Sequence, residues 1–131
     1  MALSERGELE IIIDGSTVGK GCMSLMFSVV YKGRAIPLLW EVSKKKKGHF
    51  KQLEHLNLLI KLKRLIPNCS KVTILGDGEF DGTKWQKKIA YYGWRYVLRT
   101  AKNTLLENRD GEQYTPSKVA IEKGESLFIC L

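Results

Sequence analysis

The stretch that decides the fold runs Leu75-Gly76-Asp77-Gly78-Glu79-Phe80-Asp81-Gly82. It continues the apolar, β-branched run Val72-Thr73-Ile74-Leu75, which predicts a strand, and a helical pattern follows it. In α/β sheets, ligand-binding groups collect just beyond the carboxyl ends of strands, where the loops meet a ligand. Glycine on both sides of Asp77 is expected to allow a sharp bend and the close approach of an anion or a metal ion. Asp77 is therefore the first candidate functional residue.

A second stretch has the same form, because the apolar run Leu9-Glu10-Ile11-Ile12-Ile13 ends in Asp14-Gly15-Ser16. If the two strands lie side by side and parallel, Asp14 and Asp77 converge on one point. The alternative is ordinary turn chemistry, in which Asp forms a local hydrogen bond and Gly supplies a positive φ. Glu79 is expected to be a solvated loop acid, and Asp81 is expected to cap the following helix.

Strands are predicted over residues 9–13, 22–31 and 35–42, because these segments are apolar or β-branched. Lys32-Gly33 lies between the second and third of them and predicts a tight antiparallel hairpin. Pro37 cannot donate a ladder hydrogen bond, so the third strand is expected at an edge of the sheet.

Helical spacing predicts a helix from about His49 to Ile66, which Pro67 ends. Its predicted apolar stripe consists of Leu53, Leu56, Leu59, Ile60 and Leu62. The helix leads to a strand over residues 72–75, as a crossover between parallel strands does. A second helix over residues 83–92 and a strand over residues 94–100 follow. The three tryptophans lie in apolar patterns and are expected in the core; they are Trp40, Trp85 and Trp94.

The 131 residues fit one domain with a real hydrophobic core, and the aromatic and aliphatic content argues against disorder. The formal net charge of +8 is concentrated in residues 43–71, where nine Lys or Arg face the single acid Glu54. Such a segment attracts nucleic acid or another anionic surface. The run Lys44, Lys45, Lys46 and Lys47 is the candidate contact, and the alternative is a solvated loop and helix face.

Cys22, Cys69 and Cys130 are odd in number and widely spaced, which favours free thiols in a reducing compartment. The first residues lack the basic-then-apolar pattern of a signal peptide, and no uncharged run reaches the length of a membrane span. We therefore expect a soluble, cytoplasmic protein without a membrane partner.

The order of three antiparallel strands, helix, strand, helix and strand is that of a ribonuclease-H-like fold. The sequence resembles the DDE transposases of bacterial insertion sequences, in the group whose third acid lies in a Tyr-Arg-Glu-Lys signature. The stretches that carry the resemblance extend over about residues 9–103; they are Ile12–Ser16, Leu25–Leu38, Gly48-His49, Leu75–Gly82 and Gly93–Thr100. The expected fold is α/β, with a mixed five-stranded sheet and crossover helices.

The resemblance implies that Asp14 and Asp77 are the first two catalytic acids and that they bind Mg²⁺ or Mn²⁺. Hard oxygen ligands suit these ions. Two such ions, roughly 4 Å apart, clamp the attacking and leaving oxygens of a phosphoryl displacement. The family hydrolyses DNA at transposon ends and then joins the freed 3′-hydroxyl to target DNA. DNA is therefore the implied partner, in a bacterial cytoplasm near the nucleoid, with Arg99 as a further candidate phosphate contact and a possible homodimer in the full-length form.

The third acid of the family is expected beyond the last residue of this chain. The later glutamates stand in no Tyr-Arg-Glu-Lys context and are not assigned; they are Glu107, Glu112, Glu122 and Glu125. The apolar run Leu127–Leu131 indicates a strand without a neighbour. We therefore expect residues 1–131 to be a partial ribonuclease-H-like catalytic domain, truncated at its C-terminus and without useful activity of its own. The alternatives are another ribonuclease-H-like nuclease and a basic DNA-binding domain without enzymatic activity.

Overall fold

The computed structural model describes residues 7–44, 51–68, 70–80, 82–119 and 123–124. The chain divides into two compact units, Met1–Arg99 and Thr100–Leu131. The first unit contains five strands and two α-helices, which follow one another along the chain in the predicted order. They are β1 Glu8–Thr17, β2 Cys22–Tyr31, β3 Arg34–Lys44, α1 Gln52–Leu65, β4 Lys71–Gly76, α2 Thr83–Tyr91 and β5 Arg95–Leu98.

The five strands form one mixed sheet in the order β3-β2-β1-β4-β5. β1 pairs antiparallel with β2, and β2 pairs antiparallel with β3. β4 lies parallel to β1 on one side and to β5 on the other, so both helices act as crossovers between parallel strands. This topology confirms the predicted ribonuclease-H-like α/β fold.

The hairpin between β2 and β3 has the two-residue turn that the sequence predicts. Lys32 and Gly33 both have positive φ, at 47° and 73°, and Tyr31 pairs with Arg34 across the turn. Positive φ at both central positions is the mark of a type I′ hairpin. β3 is an edge strand, as Pro37 predicts, and the register shifts by one residue between Phe27 and Ser28, opposite Pro37.

One face of the sheet carries the hydrophobic core. Both helices lie on it, because buried residues of α1 and α2 share a cluster with the odd-numbered residues of β1 and β2; its strand members include Ile11, Ile13, Leu25 and Phe27. Phe27 stacks on Trp85 of α2, with ring centroids 6.1 Å apart. Because side chains alternate along a strand, even-numbered residues of β1 and β2 face the other way. We call this opposite side the open face.

Two details of the predicted core are wrong. Leu53 of the predicted stripe is exposed; Leu59 and Leu62 are buried as predicted, and the buried face of α1 is completed by His55 and Leu58, so that it consists of His55, Leu58, Leu59 and Leu62. These four have the i, i+3, i+4, i+7 spacing of one helix face, but counting apolar residues alone passes over a histidine. Trp40 is the second error, because 58% of its surface is exposed, whereas Trp85 and Trp94 are buried as predicted.

The second unit contains a small hairpin, β6 Leu106–Glu107 with β7 Gln113–Tyr114. Asn108 Oδ1 accepts hydrogen bonds from the backbone N–H groups of Asp110 and Glu112, at 3.0 and 2.9 Å, and Gly111 has a φ of 81°. A 3₁₀ turn, Pro116–Lys118, follows.

Several predicted features lie outside the described residues. They are Lys45, Lys46, Lys47, Gly48-His49, Cys69, Asp81, Glu122, Glu125 and the run Leu127–Leu131. The N-cap position of α2, which Asp81 is predicted to fill, belongs to Gly82. Cys22 is a free thiol. Among the described residues, neither helix has the length and apolar character that crossing a bilayer demands.

Candidate active site at the carboxyl edge of the sheet

Asp14 and Asp77 occupy matching positions on neighbouring strands. In the parallel pairing of β1 with β4, Ile12 lies opposite Leu75, and each acid comes two residues later in its chain. Neighbouring strands are about 4.8 Å apart, so this register brings both carboxylates to one edge of the sheet. Both residues are exposed there. The register thus gives the two acids matching positions, and their predicted convergence on one point stays a prediction.

The surroundings of Asp14 differ from the prediction, because β1 does not end at Asp14-Gly15. The strand continues to Thr17, and Asp14 pairs with Met26 of β2. The parallel pairing of β1 with β4 ends at Ile12, but the antiparallel pairing with β2 continues to Thr17 and keeps β1 extended. Asp14 is therefore an inner strand residue, and its backbone is fixed by the sheet instead of by a loop.

Asp77 combines the two roles that the sequence leaves open. Its Oδ1 accepts a hydrogen bond of 3.0 Å from the Glu79 N–H, and its carbonyl oxygen accepts one of 3.2 Å from the Phe80 N–H. These bonds shape the 3₁₀ turn Gly78–Phe80 that follows β4. A carboxylate has about four lone-pair sites, so one local hydrogen bond leaves Asp77 able to bind a further group.

The glycines beside Asp77 provide space, and neither has a positive φ. A Cβ on Gly76 would lie 3.0 Å from both Ile13 Cγ2 and Leu98 Cδ2, and 3.3 Å from Phe80 Cδ2. A Cβ on Gly78 would lie 3.4 Å from the Arg99 carbonyl oxygen, which is an ordinary contact. Neither glycine therefore has the positive φ that the turn-chemistry alternative supposes. Gly76 instead lets three apolar side chains close over the end of β4.

Arg99 lies at the same edge as the two acids. Leu98 pairs with Gly76, and the Arg99 N–H donates a hydrogen bond of 3.0 Å to the Gly76 carbonyl oxygen. Arg99 is exposed and directly follows β5, as Asp77 directly follows the neighbouring β4. A guanidinium at this position is well placed to contact a phosphate that approaches the carboxylates.

A buried histidine supports the loop that carries Asp77, and the sequence alone does not reveal it. His55 is 3% exposed, and its ring centroid lies 4.8 Å from that of Phe80 and 5.9 Å from that of Trp85. Its Nε2 lies 4.0 Å from Glu79 Oε1, whose side chain is mostly buried. The prediction that Glu79 is a solvated loop acid is therefore wrong. The helical spacing of His55 with Leu58, Leu59 and Leu62 was the signal available in the sequence.

The basic segment splits between two ends of the first unit. Lys44 ends β3, which runs in the same direction as β1, so it is exposed at the edge that carries Asp14. Lys63 and Arg64 lie in the last turn of α1, and Lys71 begins β4, at the opposite edge. Of the predicted DNA contacts that the structure describes, Lys44 and Arg99 therefore share an edge with the acids.

The donor atoms at this edge suit a hard divalent cation only in part. Asp14 and Asp77 supply carboxylate oxygens, which Mg²⁺ and Mn²⁺ prefer. Among the described residues there is no group of three or more His, Cys, Asp or Glu that could hold a metal ion. Glu107 and Glu112 accept hydrogen bonds from Gln113 and Asn108 in the second unit, at 3.3 and 2.9 Å. The fit is that of a cation held by two carboxylates and completed by water or a further ligand.

Comparison with solved structures gives low similarities. The chain matches a Marinitoga piezophila Argonaute in complex with guide RNA and target DNA, at 24% identity and a TM-score of 0.43, over 75% of this chain and 16% of that one. It also matches two structures of the Aquifex aeolicus Ppx/GppA protein. Their identities are 14% and 13%, their TM-scores 0.37 and 0.30, and the match covers 72% and 70% of this chain. The chain thus spans 16% to 36% of the length of these proteins.

A search of curated protein sequences gave no match. Comparison with protein families, in contrast, matches residues 5–127 to the family described as the transposase DDE domain. The matched range contains Asp14 and Asp77, together with the whole five-stranded sheet. Because the match extends over nearly all of the sequence, the chain belongs to the transposase DDE domain family.

Proposed function

We propose that this chain serves DNA transposition by metal-dependent phosphoryl transfer, with Asp14 and Asp77 as the acids that hold the metal. The observation that carries the proposal is the register of β1 and β4, which gives the two acids matching positions at one edge of the sheet. Membership of the transposase DDE domain family supports the same assignment. Turn chemistry alone accounts for the Glu79 hydrogen bond to Asp77, but not for an exposed carboxylate inside β1.

Each residue at the edge has a distinct role in this proposal. Asp14 and Asp77 bind Mg²⁺ or Mn²⁺, which when bound neutralises charge on a DNA phosphate and activates an oxygen nucleophile. The sheet holds the Asp14 backbone, and the 3₁₀ turn holds Asp77, so the carboxylates need little rearrangement. Arg99 and Lys44 attract the flanking phosphates. DNA cleavage and strand transfer are the reactions that follow from this arrangement in the family.

We propose that the chain is a partial catalytic domain. Two carboxylates leave part of the octahedral shell of the metal ion to other ligands. A third acid of the Tyr-Arg-Glu-Lys type has no counterpart among the described residues. We propose that it is contributed by sequence outside these 131 residues, so that the chain alone cleaves DNA poorly. The bacterial, nucleoid-associated location and a homodimer of the full-length form belong to the same proposal.

The test is the effect of Mg²⁺ on DNA affinity, measured by fluorescence anisotropy at constant ionic strength. Without the ion, two carboxylates repel the phosphates, and with the ion they attract them through it. Wild type should therefore bind DNA more tightly when Mg²⁺ is present. Asp14→Asn and Asp77→Asn should bind more tightly than wild type in EDTA and gain little from Mg²⁺. Asn at position 77 keeps an oxygen for the Glu79 N–H, so the substitution removes charge and preserves the turn.

Asp110→Asn is the matched control, because Asp110 is an exposed turn acid of the second unit. It should respond to Mg²⁺ as wild type does. If all four proteins show the same Mg²⁺ response, Asp14 and Asp77 hold no metal ion, the chain is a basic DNA-binding domain, and the proposed function is wrong.

A further inference from the structure

Trp40 is an aromatic side chain on an edge strand with no core to pack against. It belongs to a largely apolar strand, yet 58% of its surface is exposed. The preceding and following residues show which way it faces. Glu41 Oε2 forms an ion pair with Lys61 Nζ of α1, at 3.5 Å, so the Glu41 side chain faces the helices. Trp40 therefore faces the open side of the sheet.

The sheet register places Trp40 in line with the two acids. Asp14 pairs with Met26, and Met26 pairs with Trp40, so these three side chains lie in one row across β1, β2 and β3. Directly paired residues of antiparallel strands lie on the same face. Two strand spacings of about 4.8 Å put the Trp40 backbone about 10 Å from that of Asp14. This distance fits the nucleotides next to a phosphodiester held at the acids.

Trp40 shares its face of β3 with a cation. Val42 lies between them on this face and is 54% exposed, so an exposed row leads from Trp40 to Lys44. Lys44 lies four residues beyond Trp40 on the same face of β3, about 13 Å away at the usual rise of a strand. An aromatic platform beside a mobile cation is the pairing that binds single-stranded nucleic acid.

We propose that Trp40 stacks on an unpaired DNA base next to the phosphodiester that the two acids hold. The inference rests on the proposed function, because it takes the row from Asp14 to Trp40 as the path of the bound strand. The base supplies a flat apolar face to the indole, and Lys44 contacts the strand at a phosphate. Stacking tolerates any base, so the site holds the strand in place without reading its sequence.

Tryptophan fluorescence gives a direct readout. Trp85 is fully buried and Trp94 is 6% exposed, so solvent-exposed emission comes from Trp40. The full chain is titrated with a mixed-sequence single-stranded DNA oligonucleotide, and affinity is measured in parallel by anisotropy over a range of salt concentrations. Stacking should quench the emission of wild type. Trp40→Ala should weaken binding about 5- to 100-fold, the range reported by alanine substitution at base-stacking residues.

Two further variants separate stacking from other causes. Trp40→Phe keeps an aromatic face and should retain most of the affinity. Tyr91→Ala removes an aromatic ring that is 81% exposed on α2, away from the open face, and should bind as wild type does. Trp40→Ala should leave the slope of log affinity against log salt unchanged, because stacking displaces no counterions. Lys44→Ala should lower that slope by about 0.7 on single-stranded DNA.

Three results would overturn the inference. If Trp40→Ala binds single-stranded DNA as tightly as wild type, Trp40 does not stack on a base, while the Mg²⁺ response of the aspartate variants still decides the proposed function. If wild type does not bind DNA at any salt concentration, both proposals are wrong. If Trp40 emission shifts with protein concentration in the absence of DNA, a second copy of the chain covers Trp40 instead.

Discussion

His55 shows how one buried residue ties the core to the edge that carries the acids. It is part of the inward face of α1, yet its ring lies against Phe80, the last residue of the 3₁₀ turn. Its Nε2 faces Glu79, whose backbone N–H in turn donates to Asp77. Two consecutive contacts, from His55 to Glu79 and from Glu79 to Asp77, therefore connect α1 with the Asp77 carboxylate.

We expect His55→Ala to destabilise the fold by about 2–4 kcal/mol, because it removes a buried ring and leaves a cavity between Phe80 and Trp85. Urea unfolding followed by circular dichroism measures the change. Leu53→Ala on the exposed side of the same helix is the control and should stay within about 0.5 kcal/mol of wild type. Equal stability of the two variants would show that His55 does not belong to the core.

At the scale of elements, the end of β4 is the most crowded part of the site. Gly76 continues the strand between β1 and β5 and leaves room for Ile13, Leu98 and Phe80 to meet. Asp77 follows directly, so a shift of the strand end moves its carboxylate. The space at Gly76 is thus part of the geometry that holds the acid.

Gly76→Ala should therefore cost about 1–3 kcal/mol, since its methyl group would overlap two apolar side chains. Gly78→Ala is the matched control, because its Cβ meets only the Arg99 carbonyl oxygen, at 3.4 Å. Thermal unfolding of the two variants measures the difference. A Gly78→Ala variant that is less stable than Gly76→Ala would mean that the turn, and not the strand end, sets the position of Asp77.

Some features of the helices and strands could be predicted from the sequence, and others could not. Apolar runs and the Lys32-Gly33 turn predict the strands and their order, because strand burial and turn geometry are local properties. The core position of His55 was not predicted, and Trp40 was wrongly predicted in the core, because both depend on which elements pack against these side chains in the fold. The prediction of Asp14 and Asp77 came from two Asp-Gly pairs that follow apolar runs. The sequence did not predict that β1 extends beyond Asp14, because this length depends on the pairing of β1 with β2.

In the described part of the first unit, the basic side chains do not form a single surface. Lys63 lies over the rings of Tyr92 and Trp94, with its Nζ 5.6 and 5.4 Å from their centroids. Lys61 pairs with Glu41. These lysines contact residues packed around α1, whereas Lys44 lies at the edge of the acids.

We expect replacement of Lys44 and residues 45–47 by alanine to weaken duplex DNA binding and to flatten its salt dependence. The slope of log affinity against log salt should fall by about 0.9 for each lost phosphate contact. Lys71→Ala, at the opposite edge, is the control and should leave the slope unchanged. If the quadruple variant keeps the slope of wild type, DNA does not follow the end of β3.

The central claim is that Asp14 and Asp77 share one divalent cation, and paramagnetic line broadening by Mn²⁺ tests it most directly. Mn²⁺ is titrated into the ¹⁵N-labelled chain, and the loss of each backbone amide signal is followed by NMR. The account predicts that signals around Asp14, Asp77 and Arg99 disappear together and first. It also predicts that Asp14→Asn or Asp77→Asn abolishes this loss and that Asp110→Asn preserves it. Broadening of the same signals to the same extent in all four proteins, or broadening centred away from this edge, would contradict it.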